Sequence, residues 1–244
     1  SFEMSVVVGA SSRVGKAIVT RLAFAGQRVI GIDENTPQLR NIEKEMKKVG
    51  GNVTCIPFLE SEHSTIAKAE SLIEGGMKGL IYTAPENTVK GDIADSTTIQ
   101  FNTVFAQRLT LPFRIIQCAV PHLRKSKDSS IVIVNSASAY TPFVDLGLFS
   151  AGSTALLSLS RSLAVDPSVL PVRVNTVVMS TVHGDGSGGV WDNEEENASL
   201  RQMMPLGRLG STADVSAAVE FLLSNKSRYI TSESLILNGA VIYR

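Results

Sequence analysis

Short β-branched runs alternate with longer amphipathic stretches along the chain. Runs that stop at a glycine or a polar residue are typical of buried strands, and apolar positions three and four residues apart are typical of helices. We predict strands at Met4–Val8, Arg28–Ile32, Val53–Phe58, Gly79–Thr83, Ser130–Asn135, Val172–Val178 and Ser234–Asn238. We predict helices at Lys16–Gly26, Pro37–Lys48, Ser64–Glu74, Thr97–Lys125, Leu148–Val165 and Ala213–Leu223.

This alternation of strands and helices determines the fold class. Parallel strands need crossover connections and helices of this length supply them, so the sheet is parallel and covered on both faces. No repeat or linker interrupts the series, which predicts one doubly wound α/β domain over residues 1–244. The residues before Met4, Ser1–Glu3, are interpreted as an expression scar.

The segment Thr181–Asn197 interrupts the alternation. It holds His183, Trp191 and several glycines, and it ends in an acidic run. Glycine-dense segments of this length are either mobile lids over a binding site or disordered connections, and the sequence leaves both interpretations open. The acidic run Glu194–Glu196 favours the first turn of the helix that follows.

Charge and cysteine content exclude several function classes. The chain carries 23 Lys+Arg and 23 Asp+Glu, so no net charge attracts it to nucleic acid or to an anionic membrane. No apolar run approaches the ~18 residues that span a bilayer, and no signal-sequence pattern precedes the first strand. Cys55 and Cys118 lie in apolar runs without metal-ligand spacing. They predict buried thiols, no metal site, and a cytoplasmic or other reducing compartment.

A nucleotide site is indicated at the first strand-to-helix turn. Gly9 ends the strand and Gly15 lies near the start of the helix, where free N–H groups and the helix dipole favour a pyrophosphate. Asp33 ends the second strand, and a carboxylate there accepts both ribose hydroxyls of adenosine and repels a 2′-phosphate. The sequence therefore favours NAD over NADP. A tight turn without any ligand would use the same residues, and that alternative stays open.

Eight segments together resemble the short-chain dehydrogenase/reductase family, in the right order over essentially the whole chain. They are Gly9–Gly15, Leu111–Arg114, Val120–Leu123, Ser130–Ser136, Ser150–Ala151, Arg161–Ala164, Val172–Thr176 and Pro205–Gly210. The resemblance implies a seven-stranded Rossmann sheet and a nicotinamide cofactor. It also implies a homodimer or homotetramer that assembles through helix 97–125 and helix 148–165.

The resemblance implies a catalytic set of Asn, Ser, Tyr and Lys. In that family the tyrosine moves the proton, the lysine lowers its pKa and holds the ribose, the serine polarises the carbonyl and the asparagine holds a relay water. Carried over by position, Ser136 keeps the serine. Phe149 stands at the tyrosine position, Ser153 at the lysine position and Arg108 at the asparagine position. The groups that move and activate the proton are therefore absent.

The cofactor positions that the resemblance implies are also altered. Arg13 replaces the middle glycine of the nucleotide turn, which hinders close approach of a cofactor unless the guanidinium pairs with the pyrophosphate. The predicted cofactor contacts are Gly9, Ser11, Arg13, Val14, Gly15, Asp33, Ala84 and Thr181. We therefore expect binding of NAD to be weakened or lost.

Two functions from different classes follow. The first is a binding or assembly protein that has lost standard hydride transfer, with a small molecule as a further candidate ligand. The second is an NAD-dependent oxidoreductase in which Tyr140, four residues after Ser136, or a water replaces the absent acid; Tyr140 is alternatively an aromatic wall of the pocket. Tyr82 is a weaker substitute, and His183 is a candidate base. A dehalogenase on the same fold keeps a Ser-Tyr-Arg trio, which Phe149 interrupts, so it is the minor alternative.

Overall fold

The computed structural model describes residues 4–34, 36–72, 76–84, 91–180, 182–183 and 194–241. The strands of its main sheet are β1 (Met4–Val8), β2 (Arg28–Asp33), β3 (Val53–Pro57), β4 (Gly79–Thr83), β5 (Ser130–Ser136), β6 (Arg173–Met179) and β9 (Ser234–Leu237). They are all parallel and lie in the order β3-β2-β1-β4-β5-β6-β9. A second sheet pairs β7 (Val182–His183) with β8 (Gly210–Ser211).

Eight α-helices connect and cover these strands in the described part of the chain. They are α1 (Arg13–Phe24), α2 (Pro37–Lys48), α3 (Glu62–Ser71), α4 (Thr98–Phe105), α5 (Leu111–Leu123), α6 (Gly147–Val165), α7 (Glu194–Met203) and α8 (Thr212–Leu223). A π-helical segment, Ala106–Thr110, joins α4 to α5 without a break. Short 3₁₀ turns lie at Ile93–Asp95, Ala137–Ala139 and Asn225–Ser227.

The helices form one layer on each face of the main sheet, because successive strand residues point to opposite faces. On β1, Val7 packs in a core with α1, α2 and α8, whereas Val6 and Val8 pack in a second core with α3, α5 and α6. Strand order reverses between β1 and β4, which are neighbours. Ligands of such sheets bind in the crevice beyond the carboxyl ends of the strands at that reversal.

The predicted strands are confirmed, and Pro37–Lys48 is a helix with the predicted bounds. The long helix is confirmed from Thr98 to Leu123, with the π-helical segment as a feature that periodicity did not indicate. The segment predicted to be irregular, Thr181–Asn197, contains a short strand and the start of a helix, and the predicted place of the acidic run in the first turn of that helix is confirmed. Residues Val182–His183 form β7, and the acidic run opens α7 at Glu194. Thr181 and residues 184–193 lie outside the described residues, as do Ser1–Glu3, so the lid interpretation stays a prediction.

Two expectations drawn from composition need correction. By length and composition alone, α6 is apolar enough to cross a membrane, although no run was expected to approach that length. Half of it is buried inside the protein, where it packs on β5 and β6 as core helices do. Cys55 and Cys118 are free but only half-buried, and burial, with the charge of Glu43, raises the pKa of the Cys55 thiol to about 12. Among the described residues no cluster of His, Cys, Asp or Glu could hold a metal ion.

Two glycines with nearly the same backbone conformation offer a test of the close packing at the nucleotide turn. Gly9 has φ +82°, and a Cβ added there would overlap Thr83 Oγ1, whereas Gly26 has φ +80° and open space. We expect Gly26→Ala to lower the free energy of unfolding by about 1–2 kcal/mol through backbone strain alone. Gly9→Ala should lower it by about 1–3 kcal/mol more, because of overpacking. Urea denaturation measures the difference, and equal losses would contradict the close approach of Thr83.

Candidate functional site

The turn between β1 and α1 is held by its own serine and by β4. The Oγ of Ser12 accepts a hydrogen bond from the Gly15 N–H at 3.0 Å and donates to the Gly9 carbonyl at 2.8 Å. Thr83, the last residue of β4, donates its hydroxyl to the Val8 carbonyl at 2.9 Å. A Cβ on Gly15 would overlap the Gly9 carbonyl, so the turn needs glycine there. This is the shape that dinucleotide-binding folds present at a helix N-terminus.

Asp33 lies beside that turn, at the end of β2. The N–H and the hydroxyl of Ser11 both donate to Asp33 Oδ2, at 2.8 and 2.5 Å, and the Glu34 N–H donates to Oδ1 at 2.8 Å. These three bonds fix the carboxylate at the edge of the crevice. An ionised carboxylate has about four acceptor positions, so Asp33 keeps the capacity to accept from a ribose hydroxyl.

Arg13 is the first residue of α1, and it lines a groove of about 580 Å³ between α1 and α8. Lys16, Arg21 and Glu220 line the same groove. Arg13, at the position of the expected middle glycine, therefore borders the groove between α1 and α8. Val14 is buried in the core, so only its backbone is left for a ligand.

Arg108, Phe149 and Ser153 form a buried cluster between the π-helical segment and α6. The guanidinium carbon of Arg108 lies 3.6 Å from the centroid of the Phe149 ring, in cation–π geometry. Arg108 Nη1 donates to Ser153 Oγ at 3.0 Å, and that hydroxyl donates to the Phe149 carbonyl at 2.8 Å. The exposed fractions are 3% for Arg108, 6% for Phe149 and 0% for Ser153. The residues at the expected Asn, Tyr and Lys positions are thus packed against one another.

Gly152 and Tyr82 lie next to this buried cluster. A Cβ on Gly152 would lie 3.1 Å from Arg108 Cδ, so glycine lets the π-helical segment approach α6. Local π-helical insertions are frequent at functional sites, and Arg108 is the middle residue of this one. The Tyr82 hydroxyl donates to the Gln107 carbonyl at 2.7 Å, and burial raises the pKa of Tyr82 against the opposing charge of Arg108. The Tyr82 proton is therefore held on a backbone hydrogen bond.

Ser136 ends β5 at the same edge of the sheet. Its Oγ lies 2.6 Å from Ser138 Oγ and accepts from the Ser138 N–H at 3.2 Å. The side-chain amide of Asn135 donates to the Ser153 carbonyl at 2.8 Å, while its Oδ1 accepts from the Ser136 N–H. Asn135 thereby ties the end of β5 to α6, next to the buried cluster.

Tyr140 follows the 3₁₀ turn after β5 and is half-buried. Its hydroxyl accepts a hydrogen bond from Arg161 Nη2 at 3.0 Å, and the same nitrogen lies 3.5 Å from Ser234 Oγ on β9. Arg161 lies roughly 18 Å along the α6 axis from Phe149, at 1.5 Å per residue. The contact directs the Tyr140 hydroxyl along α6 towards β9. Its role as a substitute acid stays a prediction.

The structure brings most of the predicted site residues into two groups, one at the nucleotide turn and one in the buried cluster, whereas Ser136 lies beside that cluster and Tyr140 contacts Arg161 instead. Ala84, whose N–H donates to the Val134 carbonyl at 3.1 Å, lies between them at the end of β4. Sequence reasoning missed the parts played by Thr83, Asn135 and Gly152. The glycine next to Ser153 was the available signal, because a glycine inside a helix often marks a close approach.

A doubly wound parallel sheet with this turn and an acidic residue at the end of β2 defines a Rossmann fold of the dinucleotide-binding type. A family model described as enoyl-(acyl carrier protein) reductase matches residues 9–241. The chain belongs to the short-chain dehydrogenase/reductase family. Dehydrogenase/reductase SDR family member 4 of Sus scrofa is 28% identical to it over an alignment of 246 residues, which covers 99% of this chain and 88% of the relative.

Two solved structures are similar over nearly their full length. A dehydrogenase/reductase from Sinorhizobium meliloti 1021 is 25% identical with a TM-score of 0.87, covering 99% of this chain and 95% of that one. An NADPH-bound short chain oxidoreductase from Pseudomonas aeruginosa PAO1, containing an atypical catalytic center, has a TM-score of 0.90. It is 24% identical and covers 100% of both chains, a likeness that shows the fold.

Proposed function

We propose that this protein binds an adenine dinucleotide without catalysing the standard hydride transfer of its family, and that it works as a binding or assembly protein. The buried cluster of Arg108, Phe149 and Ser153 carries the proposal. These residues take three of the four catalytic positions and satisfy one another rather than a substrate.

The chemistry of carbonyl reduction gives the reason. A bound nicotinamide supplies a hydride to the carbonyl carbon, and the protein must supply a proton to the oxygen. A phenyl ring has no titrating atom and a guanidinium stays protonated in proteins, so neither Phe149 nor Arg108 gives that proton. Ser153 is fully buried, and its hydroxyl already donates to a backbone carbonyl. A nicotinamide bound here would lack its usual acid.

The adenosine end of the crevice fits the cofactor that the fold implies. Ser11 fixes the Asp33 carboxylate where ribose hydroxyls are bound in such folds, and the turn from Gly9 to Gly15 leads into the N-terminus of α1, where such folds bind a pyrophosphate. Asp33 would face the 2′-phosphate of NADP, so we expect a preference for NAD, although the solved Pseudomonas oxidoreductase holds NADPH.

The Tm of the protein at increasing concentrations of NADH and of NADPH tests binding. The rate of NADH consumption with each member of a panel of ketones and aldehydes tests catalysis. We expect NADH to raise the Tm, because a ligand at a hundred times its Kd stabilises the folded state by about 2.7 kcal/mol. Consumption of NADH should stay at the rate without protein. Turnover well above that rate would overturn the loss of catalysis, and no stabilisation by either nucleotide would overturn the binding role.

Asp33→Ala is expected to remove the preference for NADH over NADPH and to weaken NADH binding, because it deletes both the charge and the acceptor oxygens. Asp33→Asn is the matched control, since it removes the charge but keeps one acceptor oxygen. The Asn variant should lose the preference while retaining more of the affinity for NADH. Fluorescence titration with both nucleotides measures this, and an unchanged preference in both variants would contradict the role of Asp33.

An NAD-dependent oxidoreductase centred on Ser136 and Tyr140 is the second candidate. It is favoured by the 2.6 Å contact of Ser136 Oγ with Ser138 Oγ at the catalytic serine position, and by relatives named as dehydrogenases or reductases. Carbonyl reduction by the unmodified protein that disappears in Ser136→Ala would favour this candidate over the first. Activity that survives in Tyr140→Phe would exclude Tyr140 as its acid.

Assembly through helices 97–125 and 148–165 belongs to the first proposal. On these helices Ile99, Phe101, Phe113 and Val165 are exposed, and Ile99 reaches 78%. A homodimer or homotetramer would remove these apolar side chains from water. Nucleic acid and membranes are not expected as partners, and the compartment stays a prediction.

A further inference from the structure

We propose that the crevice binds the adenosine diphosphate part of its ligand selectively and gains little affinity from the nicotinamide part. The ligand class is then adenosine 5′-diphosphate compounds, whatever group is attached to the distal phosphate. This inference rests on the proposed nucleotide-binding function and specifies which half of the nucleotide provides the affinity.

The adenosine half of the crevice is built and held in place. Asp33 accepts three hydrogen bonds from Ser11 and Glu34, which position its carboxylate before a ligand arrives. The turn is fixed by Ser12 from within and by Thr83 from β4. A site that is ordered in advance loses little conformational entropy when a ligand binds.

The distal half has lost its anchor on α6. In the family a lysine at the position of Ser153 holds the second ribose. Here Ser153 is 0% exposed, its hydroxyl proton goes to the Phe149 carbonyl, and its oxygen accepts from Arg108. A hydroxyl that is both buried and bonded in this way offers nothing to a ribose.

The distal half also differs from the family pattern at Phe149, which stands at the tyrosine position. In the family, the tyrosine at this position would place its hydroxyl near the ribose and the nicotinamide. Here the Arg108 guanidinium covers one face of the Phe149 ring, and Phe149 is 6% exposed. Nicotinamide and its ribose would therefore add contact area without the polar contacts that normally select them. We also expect the redox state of the ring to have little effect on affinity, because Arg108, the charged residue of the buried cluster, is 3% exposed and packed on Phe149.

Calorimetric titration with NAD⁺, NADH, ADP-ribose, ADP and nicotinamide mononucleotide tests the inference. We expect the Kd values of the first four to agree within about threefold, which is a small difference on the logarithmic scale of affinity. Nicotinamide mononucleotide should not bind measurably. NAD⁺ binding tenfold or more tighter than ADP-ribose would overturn the inference while leaving the proposed nucleotide-binding function intact. Failure of all the adenine nucleotides to bind would overturn the proposed function itself.

A double variant designed to gain affinity for the nicotinamide half provides a second test of the inference. In Arg108→Asn/Ser153→Lys the distal anchor is restored and the buried guanidinium is removed. We expect this variant to bind NAD⁺ at least tenfold tighter than ADP-ribose, with the affinity for ADP unchanged. Asp33→Ala is the matched control, because it should weaken NAD⁺, ADP-ribose and ADP by the same factor. Circular dichroism confirms that each variant is folded, and a folded double variant that still binds NAD⁺ and ADP-ribose equally would contradict the assignment of the lost anchor.

Discussion

Ser153→Lys alone is expected to lower the free energy of unfolding by about 3–5 kcal/mol, the usual loss when a buried charge has no compensating partner. Ser153 is fully buried, and its Oγ lies 3.0 Å from Arg108 Nη1. A lysine ammonium at this place would lie near the guanidinium, and two like charges 4 Å apart repel by about 4 kcal/mol at an effective dielectric constant of 20. Urea denaturation measures the loss.

Two companion variants separate charge from size in that experiment. Ser153→Met adds a side chain of similar length without a charge, so its loss reports overpacking alone. Arg108→Asn/Ser153→Lys removes the repulsion and should recover much of the stability, which makes the two substitutions strongly non-additive, as expected for residues in contact. If Ser153→Met and Ser153→Lys were equally destabilised, the charge of Arg108 would have no influence on this position.

The triple variant Arg108→Asn/Phe149→Tyr/Ser153→Lys is expected to acquire NADH-dependent carbonyl reduction. It restores a phenol as acid, an ammonium that lowers the pKa of the phenol, and the asparagine of the water relay, beside the native Ser136. General acid catalysis contributes typically about 10²–10⁴-fold, so the rate should rise by at least about a hundredfold over that of the unmodified protein. Initial rates of NADH consumption on a panel of ketones measure the gain.

The double variant Arg108→Asn/Ser153→Lys is the matched control for catalysis, because it lacks only the phenol. It should bind NAD⁺ but remain without turnover. Equal rates in the double and triple variants, both folded and both binding NADH, would show that the missing tyrosine is not what prevents the reaction. High activity of the unmodified protein would instead support the second candidate function, the oxidoreductase centred on Ser136.

Much of the fold was predictable from local pattern. The run Met4–Val8 is β-branched and ends at Gly9, and it forms a central strand whose residues are all buried. Pro37–Lys48 carries Thr36 as an N-cap and a proline in its first turn, which fix the start of α2. Such signals are local, so they can be read without knowing what packs against them.

The interruption of the long helix was not predictable in the same way. The segment Ala106–Thr110 has no proline or glycine and continues the helical pattern, yet it adopts π-helical hydrogen bonding. In this segment Arg108 packs over Phe149 and against Gly152. Both of these residues lie more than forty positions after Arg108 in the sequence. Residue spacing along one segment carries no information about a contact of that kind.

The candidate site was likewise predictable in part, because sequence position identified its residues but not their contacts. Position at the ends of the first two strands and at the start of the first helix was enough to identify Gly9, Gly15 and Asp33. Position in the family pattern was enough to notice that Arg108, Phe149 and Ser153 depart from it. It did not show that the last three residues contact one another. In the sequence they are three separate departures from the family pattern, whereas in the structure they form one buried cluster joined by a cation–π contact and hydrogen bonds.

The sequence by itself determined the parallel seven-stranded sheet, the glycine turn with its acidic neighbour, and the residue types Phe149 and Ser153 at the positions where the family resemblance implies tyrosine and lysine. These properties depend on residue type and local order. Only the tertiary structure decided that Arg13 lines the groove between α1 and α8, that Tyr140 is directed towards Arg161, and that Arg108 packs over the Phe149 ring. The direction of a long side chain is set by the partners that folding brings to it, and those partners come from distant parts of the chain.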